Sequence, residues 1–148
     1  MPRVFITGLG FVTSIGNDAT SVSQRLRQLA HGLETYAPFQ KPEIPCKVVG
    51  TIKDFTADST DQEDWTFPTR YKIKRELVRS MAPNGLFAHC AMLQAIDDAK
   101  LGDTEISNPN TGLYAASGGS PFLTHHHHER LNKFGPMRCS PLGIVASI

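Results

Sequence analysis

This chain has no pair of cysteines spaced as C-x-x-C. Its three cysteines, Cys46, Cys90 and Cys139, stand far apart, which excludes a zinc ribbon and a thioredoxin-type redox motif. Their odd number speaks against a disulfide framework and for a reducing compartment. An excess of one charge is also missing. Fifteen Lys and Arg stand against fourteen Asp and Glu, for a formal net charge of +1. Neither a strongly basic nucleic-acid binder nor an acidic solvating tail fits that balance. No apolar run approaches the ~20 residues that span a bilayer. The opening stretch has Arg3 ahead of moderately apolar residues, but it holds interior glycines and no A-x-A cleavage site, unlike a signal peptide. A cytoplasmic protein is expected. There is no internal repeat, and the glycines show no collagen-like period.

Within 148 residues, 40% are apolar and 20% charged, enough for a hydrophobic core in one domain or part of a larger one. Residues 3–7, Arg-Val-Phe-Ile-Thr, read as a strand buried on both faces. Gly8, Gly10 and Gly16 punctuate the loop after it. Asn17 or Asp18 then caps a helix expected to run to about Ala30, with Val22, Leu26 and Leu29 as its apolar stripe and Gly32 as its stop. Residues 34–45 read as a proline-rich loop, and 47–52 as a weaker strand. Residues 54–68 are polar and acidic, a surface excursion that Trp65 and Phe67 tack down.

The longest helix is expected from near Ser80, with Pro83 in its first turn, where a missing N–H is harmless. Leu86, Cys90, Leu93 and Ile96 form one apolar row, and Phe87, Ala91 and Ala95 a second, so this is a core helix that ends at Leu101-Gly102. Residues 103–110 read as a loop and 111–116 as another buried strand. The alternation of strand and helix makes the fold class α/β. Residues 135–148 become increasingly apolar and end like an element interrupted in mid-course.

Several patterns imitate chemical motifs. Gly8-Leu9-Gly10 after a strand invites a dinucleotide-binding reading, but Thr13 stands where the third glycine belongs. The alternative is a tight turn out of a sheet. His125, His126, His127 and His128 are consecutive, and adjacent residues seldom converge on one metal ion. A solvated loop or the first turn of a helix is the plainer reading, and no metal site is assigned. Each cysteine is expected to be packing rather than a nucleophile. Ser117-Gly118-Gly119-Ser120 lacks the Gly-Lys-Ser/Thr of a Walker A loop. Its two glycines instead let a ligand approach the backbone closely. No G-x-S-x-G elbow is present.

Taken in order, these segments resemble the β-ketoacyl-[acyl-carrier-protein] synthases. Residues 3–17, Arg-Val-Phe-Ile-Thr-Gly-Leu-Gly-Phe-Val-Thr-Ser-Ile-Gly-Asn, resemble the family's opening strand, Thr-Gly-Leu-Gly, Val-Thr pair and Gly-Asn. Residues 94–101, Gln-Ala-Ile-Asp-Asp-Ala-Lys-Leu, are similar to its helix ending in Ala-Gly-Leu. Residues 112–121, Gly-Leu-Tyr-Ala-Ala-Ser-Gly-Gly-Ser-Pro, resemble the strand and Gly-rich turn that follow, and Gly135-Pro136 with the apolar tail looks like the segment before the family's nucleophile.

The resemblance implies the N-terminal part of a thiolase-like, layered α-β-α-β-α fold, so that residues 1–148 are an incomplete N-terminal half of a ketosynthase domain. It implies decarboxylative condensation of an acyl thioester with malonyl-acyl-carrier protein, in fatty acid or polyketide synthesis, without a cofactor. Implied partners are an acyl carrier protein and a second ketosynthase chain, as homodimer or heterodimer. Gly118 and Gly119 match the turn that borders the acyl pocket, and Met137 lies where the family places a pocket or interface side chain. No catalytic residue transfers. The sequence holds no Ala-Cys-Ala-type stretch, and His89 and the His125–His128 run match none of the family's histidines. This polypeptide alone should therefore not catalyse the condensation, and a half-built fold should leave apolar surface uncovered. The alternatives are a split or non-catalytic, chain-length-factor type subunit that pairs with an active partner, and an unrelated α/β nucleotide-binding domain.

Overall fold

A computed structural model describes residues 3–147. The elements run α1 (Ala19–Arg27), β1 (Leu33–Thr35), β2 (Val48–Gly50), α2 (Arg75–Val78), α3 (Pro83–Asp98), α4 (Asp103–Ile106), α5 (Pro121–Phe134) and α6 (Pro141–Ser147), with short 3-10 turns at Ala37–Phe39, Gln62–Asp64 and Pro136–Arg138. Helix and strand are mixed, as in an α/β domain. The chain divides into two units, Met1–Lys53 with Cys90–Leu101, and Asp54–His89 with Gly102–Ile148. Ile148, the last residue of the apolar tail, lies outside the described residues.

In the first unit the glycine loop lies against the later part of α3. A Cβ on Gly8 would fall 2.2 Å from the Ala95 carbonyl oxygen, and one on Gly10 would fall 1.8 Å from that of Ala91. The loop can lie there only because both positions lack a side chain and the helix presents alanines. Polar groups on α3 then hold it. Gln94 accepts from the Phe11 N–H at 3.3 Å and donates to the carbonyls of Phe11 and Asn17 at 3.0 Å each. Asp98 accepts from the Leu9 N–H at 2.9 Å. Each such bond contributes about 1 kcal/mol net. The Asn17 amide donates to the Lys53 carbonyl at 2.6 Å.

Asp18, one of the two caps the sequence offers, is the N-cap of α1 and accepts from the Ser21 N–H at 2.8 Å. The helix stops earlier than expected, however. Leu29 takes a left-handed φ of 53°, and the Ala30 N–H bonds back to the Arg25 carbonyl at 2.9 Å. This Schellman turn ends the helix before Ala30 and before Gly32. Of the expected stripe only Val22 is buried; Leu26 and Leu29 are exposed. β2 falls inside the expected strand and pairs antiparallel with β1 in the register Glu34↔Val49. β1 corrects the loop expected at 34–45, because Leu33–Thr35 finds its partner across an intervening turn.

In the second unit Trp65 tacks down the acidic excursion as expected. It is buried, and its indole N–H donates to the Ser59 carbonyl at 2.8 Å. Glu63 receives the guanidinium groups of Arg75 and Arg79, tying the 3-10 turn at Gln62–Asp64 to the region of α2. The core gathers Trp65, Tyr71, Val78, Ala82, Leu86, Leu123 and Ala146. Phe55 packs edge-on to Phe87 at 5.5 Å.

Two expected strands are corrected. Residues 3–7 and 111–116 run without helix or ladder assignment and have no sheet partner among the described residues. Their apolar side chains are bare, with Val4 93% and Tyr114 98% exposed. A strand exists only through its neighbours, and these segments have none here. Loop 103–110 instead contains α4. Among the described residues no helix is long and apolar enough to cross a membrane.

Replacing Gly10 by Ala should lower unfolding stability by about 3 kcal/mol, because the new methyl meets helix backbone that cannot rotate away. Urea unfolding followed by circular dichroism checks this. An unchanged midpoint would show that the loop does not lie on α3.

Candidate functional site

The Gly-rich turn between the unpaired segment and α5 forms the most distinctive surface of the second unit. Ser120 is the N-cap of α5, with Pro121 at the first helical position. The far end of α6 folds back onto this start. The Ser120 N–H donates to the Ser147 carbonyl at 3.0 Å, and the Thr124 hydroxyl donates to the carbonyls of Ser120 at 3.0 Å and Ser147 at 3.3 Å. An open groove of about 840 Å³ results, lined among others by Ser117, Gly118, Gly119, Thr124 and Ser147.

The two glycines play different parts. Gly119 has φ +74°, a conformation that L side chains adopt at a cost of roughly 1–2 kcal/mol. Around Gly118 a Cβ would meet nothing within 4 Å, so that position opens to whatever occupies the groove. The Ser117 hydroxyl oxygen accepts from the Gly119 N–H at 2.9 Å and from the Asn84 side-chain amide of α3. Asn84 escaped the sequence reading. Its signal was an amide in the first turn of α3, just ahead of the apolar run Leu86, Phe87 and Ala88.

Met137 is not brought to this groove. It lies in the 3-10 turn Pro136–Arg138, 95% exposed, and is not among the groove's lining residues. Cys90 is fully buried within α3. The thiols of Cys46 and Cys139 donate to the carbonyls of Val48 at 3.4 Å and Gly135 at 3.7 Å. The loop at Gly8 and Gly10 offers no phosphate cradle, because α3 backbone fills the space where a ligand would approach.

The four histidines sit in the middle of α5, not in a loop or a first turn. Successive helical residues point about 100° apart, and they divide accordingly. His125 and His128 line the Gly-rich groove, while His126 and His127 line a second one with Asp61, Arg79, Arg130 and Arg138. Among the described residues no three His, Cys, Asp or Glu side chains are grouped to hold a metal ion. His125 reaches Glu129 at 3.4 Å, an exposed pair. His127 is different: its ring packs on Gly143 of α6, and its Nε2 is buried with no hydrogen-bond partner among the described residues.

The family described as "Beta-ketoacyl synthase, N-terminal domain" matches residues 1–147. The chain is 34% identical over 148 residues to 3-oxoacyl-[acyl-carrier-protein] synthase 2 of Synechocystis sp. (strain ATCC 27184 / PCC 6803 / Kazusa), which covers 99% of this chain and 32% of that protein. It is 31% identical over 118 residues to 3-oxoacyl-[acyl-carrier-protein] synthase 1 of Haemophilus influenzae and 34% identical over 120 residues to that of Escherichia coli (strain K12), each covering 80% of this chain and 26% of the relative. The chain thus spans a third or less of the length of these curated relatives.

Burial holds the His127 imidazole below its ordinary pKa of 6.5, and the charges of His126 and Arg130 push it the same way. The folded state therefore resists a proton that the unfolded chain accepts. The packing of α6 on α5 should be full above pH 6.5 and weaken as pH falls below it. Hydrogen exchange of α6 amides, corrected for intrinsic rates, should quicken between pH 7.5 and 5.5 and become flat with pH in His127→Gln. Equal pH dependence in both proteins would contradict this.

Proposed function

The chain belongs to the β-ketoacyl synthase family, through its N-terminal domain, and on that premise we propose that it forms the first half of a thiolase-like condensing domain. The reaction is the joining of an acyl thioester to malonyl-acyl-carrier protein in fatty acid synthesis. A cysteine thiolate attacks the acyl thioester carbonyl and expels the carrier thiol. Malonyl-carrier protein loses carbon dioxide, and the enolate carbon so formed attacks the acyl-enzyme carbonyl, returning the thiolate. The nucleophile and the groups that promote decarboxylation are not assigned to any residue of this chain.

This chain's part is to bind and shape. The open space at Gly118 carries the reading: a substrate can pass against the backbone there, and Gly119 turns the chain away beneath it. The exposed backbone around Gly118 presents its peptide groups to the polar, thioester end of an acyl group rather than to its tail. Met137 is exposed and flexible, suited to cover an acyl chain or a subunit contact once a second surface meets it. The bare side chains of Val4, Ile6, Leu113 and Tyr114 support completion of the sheet by further chain and pairing of subunits. The partner in the reaction is an acyl carrier protein. No disulfide joins the three cysteines among the described residues, which suits the cytoplasm.

In the full-length protein, release of carbon dioxide from malonyl-carrier protein should depend on added acyl-carrier protein and yield a 3-oxoacyl product. Gly118→Leu places a side chain in the groove without straining the backbone, so it should raise KM for the acyl thioester about tenfold or more while the thermal midpoint stays within about 1 °C. An unchanged KM in a folded variant would remove Gly118 from the substrate site.

A further inference from the structure

We propose that Asn84 is a positioning residue for the Gly-rich turn, acting through the hydroxyl of Ser117. Asn84 stands at the second position of α3, directly after Pro83. Its side-chain N–H donates to the Ser117 hydroxyl oxygen across 33 residues of sequence. That same oxygen accepts from the backbone N–H of Gly119 at 2.9 Å. One oxygen thus joins the rigid start of a helix to the residue of the turn that holds a left-handed φ. Ser117 itself is exposed, as is Gly118, so without the amide the hydroxyl would rotate freely in water. A free rotor gives the Gly119 N–H no fixed acceptor, and the turn would sample other shapes.

The Asn84 side chain shows the same constraint from its other end. Its Oδ1 is buried and has no hydrogen-bond partner among the described residues. A buried, unmet acceptor costs about 1–3 kcal/mol. The amide is held in place at that cost, and its visible bond is the one to Ser117. The amide, the hydroxyl and the glycine N–H form a chain that fixes the backbone around the open space at Gly118. The link is a matter of geometry. Its effect on catalysis rests on the acyl-thioester reading given above.

The test uses the full-length protein with Asn84→Ala, Ser117→Ala, the double variant and Asn84→Asp. Two quantities are read: exchange of the Gly119 amide, and KM against kcat for the acyl thioester. Loss of one hydrogen bond of ordinary strength predicts about five- to tenfold faster exchange of Gly119 in Asn84→Ala, and a rise of KM by a similar factor with kcat little changed. Ser117→Ala should give the same change, and the double variant no more than either single one, because both remove one linkage. Asn84→Asp replaces the donating amide by a carboxylate that accepts from the Ser117 hydroxyl, so the link is kept with its direction reversed and should restore most of both. If Asn84→Ala does not fold, Ser117→Ala on its exposed turn carries the same expectation. Wild-type exchange at Gly119 in the folded variants, or additive effects in the double variant, would overturn the proposal. Faster Gly119 exchange with no change of KM in either Asn84→Ala or Gly118→Leu would keep the link and refute the acyl reading. A KM change in Gly118→Leu alone would do the reverse.

Discussion

The first unit depends on the absence of side chains at Gly8 and Gly10. Chain backbone lies against helix backbone there, with virtual Cβ positions 2.2 and 1.8 Å from α3 carbonyl oxygens. Such closeness half-buries the loop, and peptide groups brought against the helix find partners. Gln94 and Asp98 supply partners from the helix side. Their place on α3 follows from that need, and so does the wide small-residue face of Ala91 and Ala95. The glycine pattern that imitates a nucleotide fingerprint serves packing, and the helix occupies the room a phosphate would need.

The second unit uses glycine in the opposite way. At Gly118 the missing side chain leaves space that nothing in the unit fills. The surroundings hold that space open by hydrogen bonding: Ser117 ties down Gly119, and Ser120 and Thr124 clasp the end of α6. A groove shaped by hydrogen bonds keeps its form without a large core behind it. That suits a chain whose core here is limited to a few residues around Trp65, Leu86 and Leu123. The histidine run divides between two grooves because helical geometry sends neighbours apart, and only His127 becomes part of the packing.

Much of this was legible in the sequence wherever the cause is local. The Asp18 cap, the core face of α3 at Leu86 and Cys90 and the anchoring of Trp65 follow from residues a few positions apart, and the strand at Val48–Gly50 was legible by composition although its partner β1 was not. Most of what was not legible depends on distant partners. Residues 3–7 and 111–116 have strand composition, yet composition supplies no neighbour, and they remain unpaired. The end of α1 was misplaced because Leu29 takes a conformation usually left to glycine. Within the site, Gly118 and Gly119 were marked by their motif. Asn84 was not, since its role arises from a contact 33 residues away.

The two unpaired segments join the physical account to the family. Apolar, β-branched stretches with bare side chains leave their backbone free to take up a partner, and the thiolase-like condensing domain we propose would pair both segments into its sheet. Hydrogen exchange of residues 3–7 and 111–116, measured by mass spectrometry on the protein as isolated from its source, tests this most directly. Amides paired within a sheet should exchange at least about a thousandfold more slowly than an unstructured chain. Exchange at the rate of an unstructured chain in both segments would contradict the account.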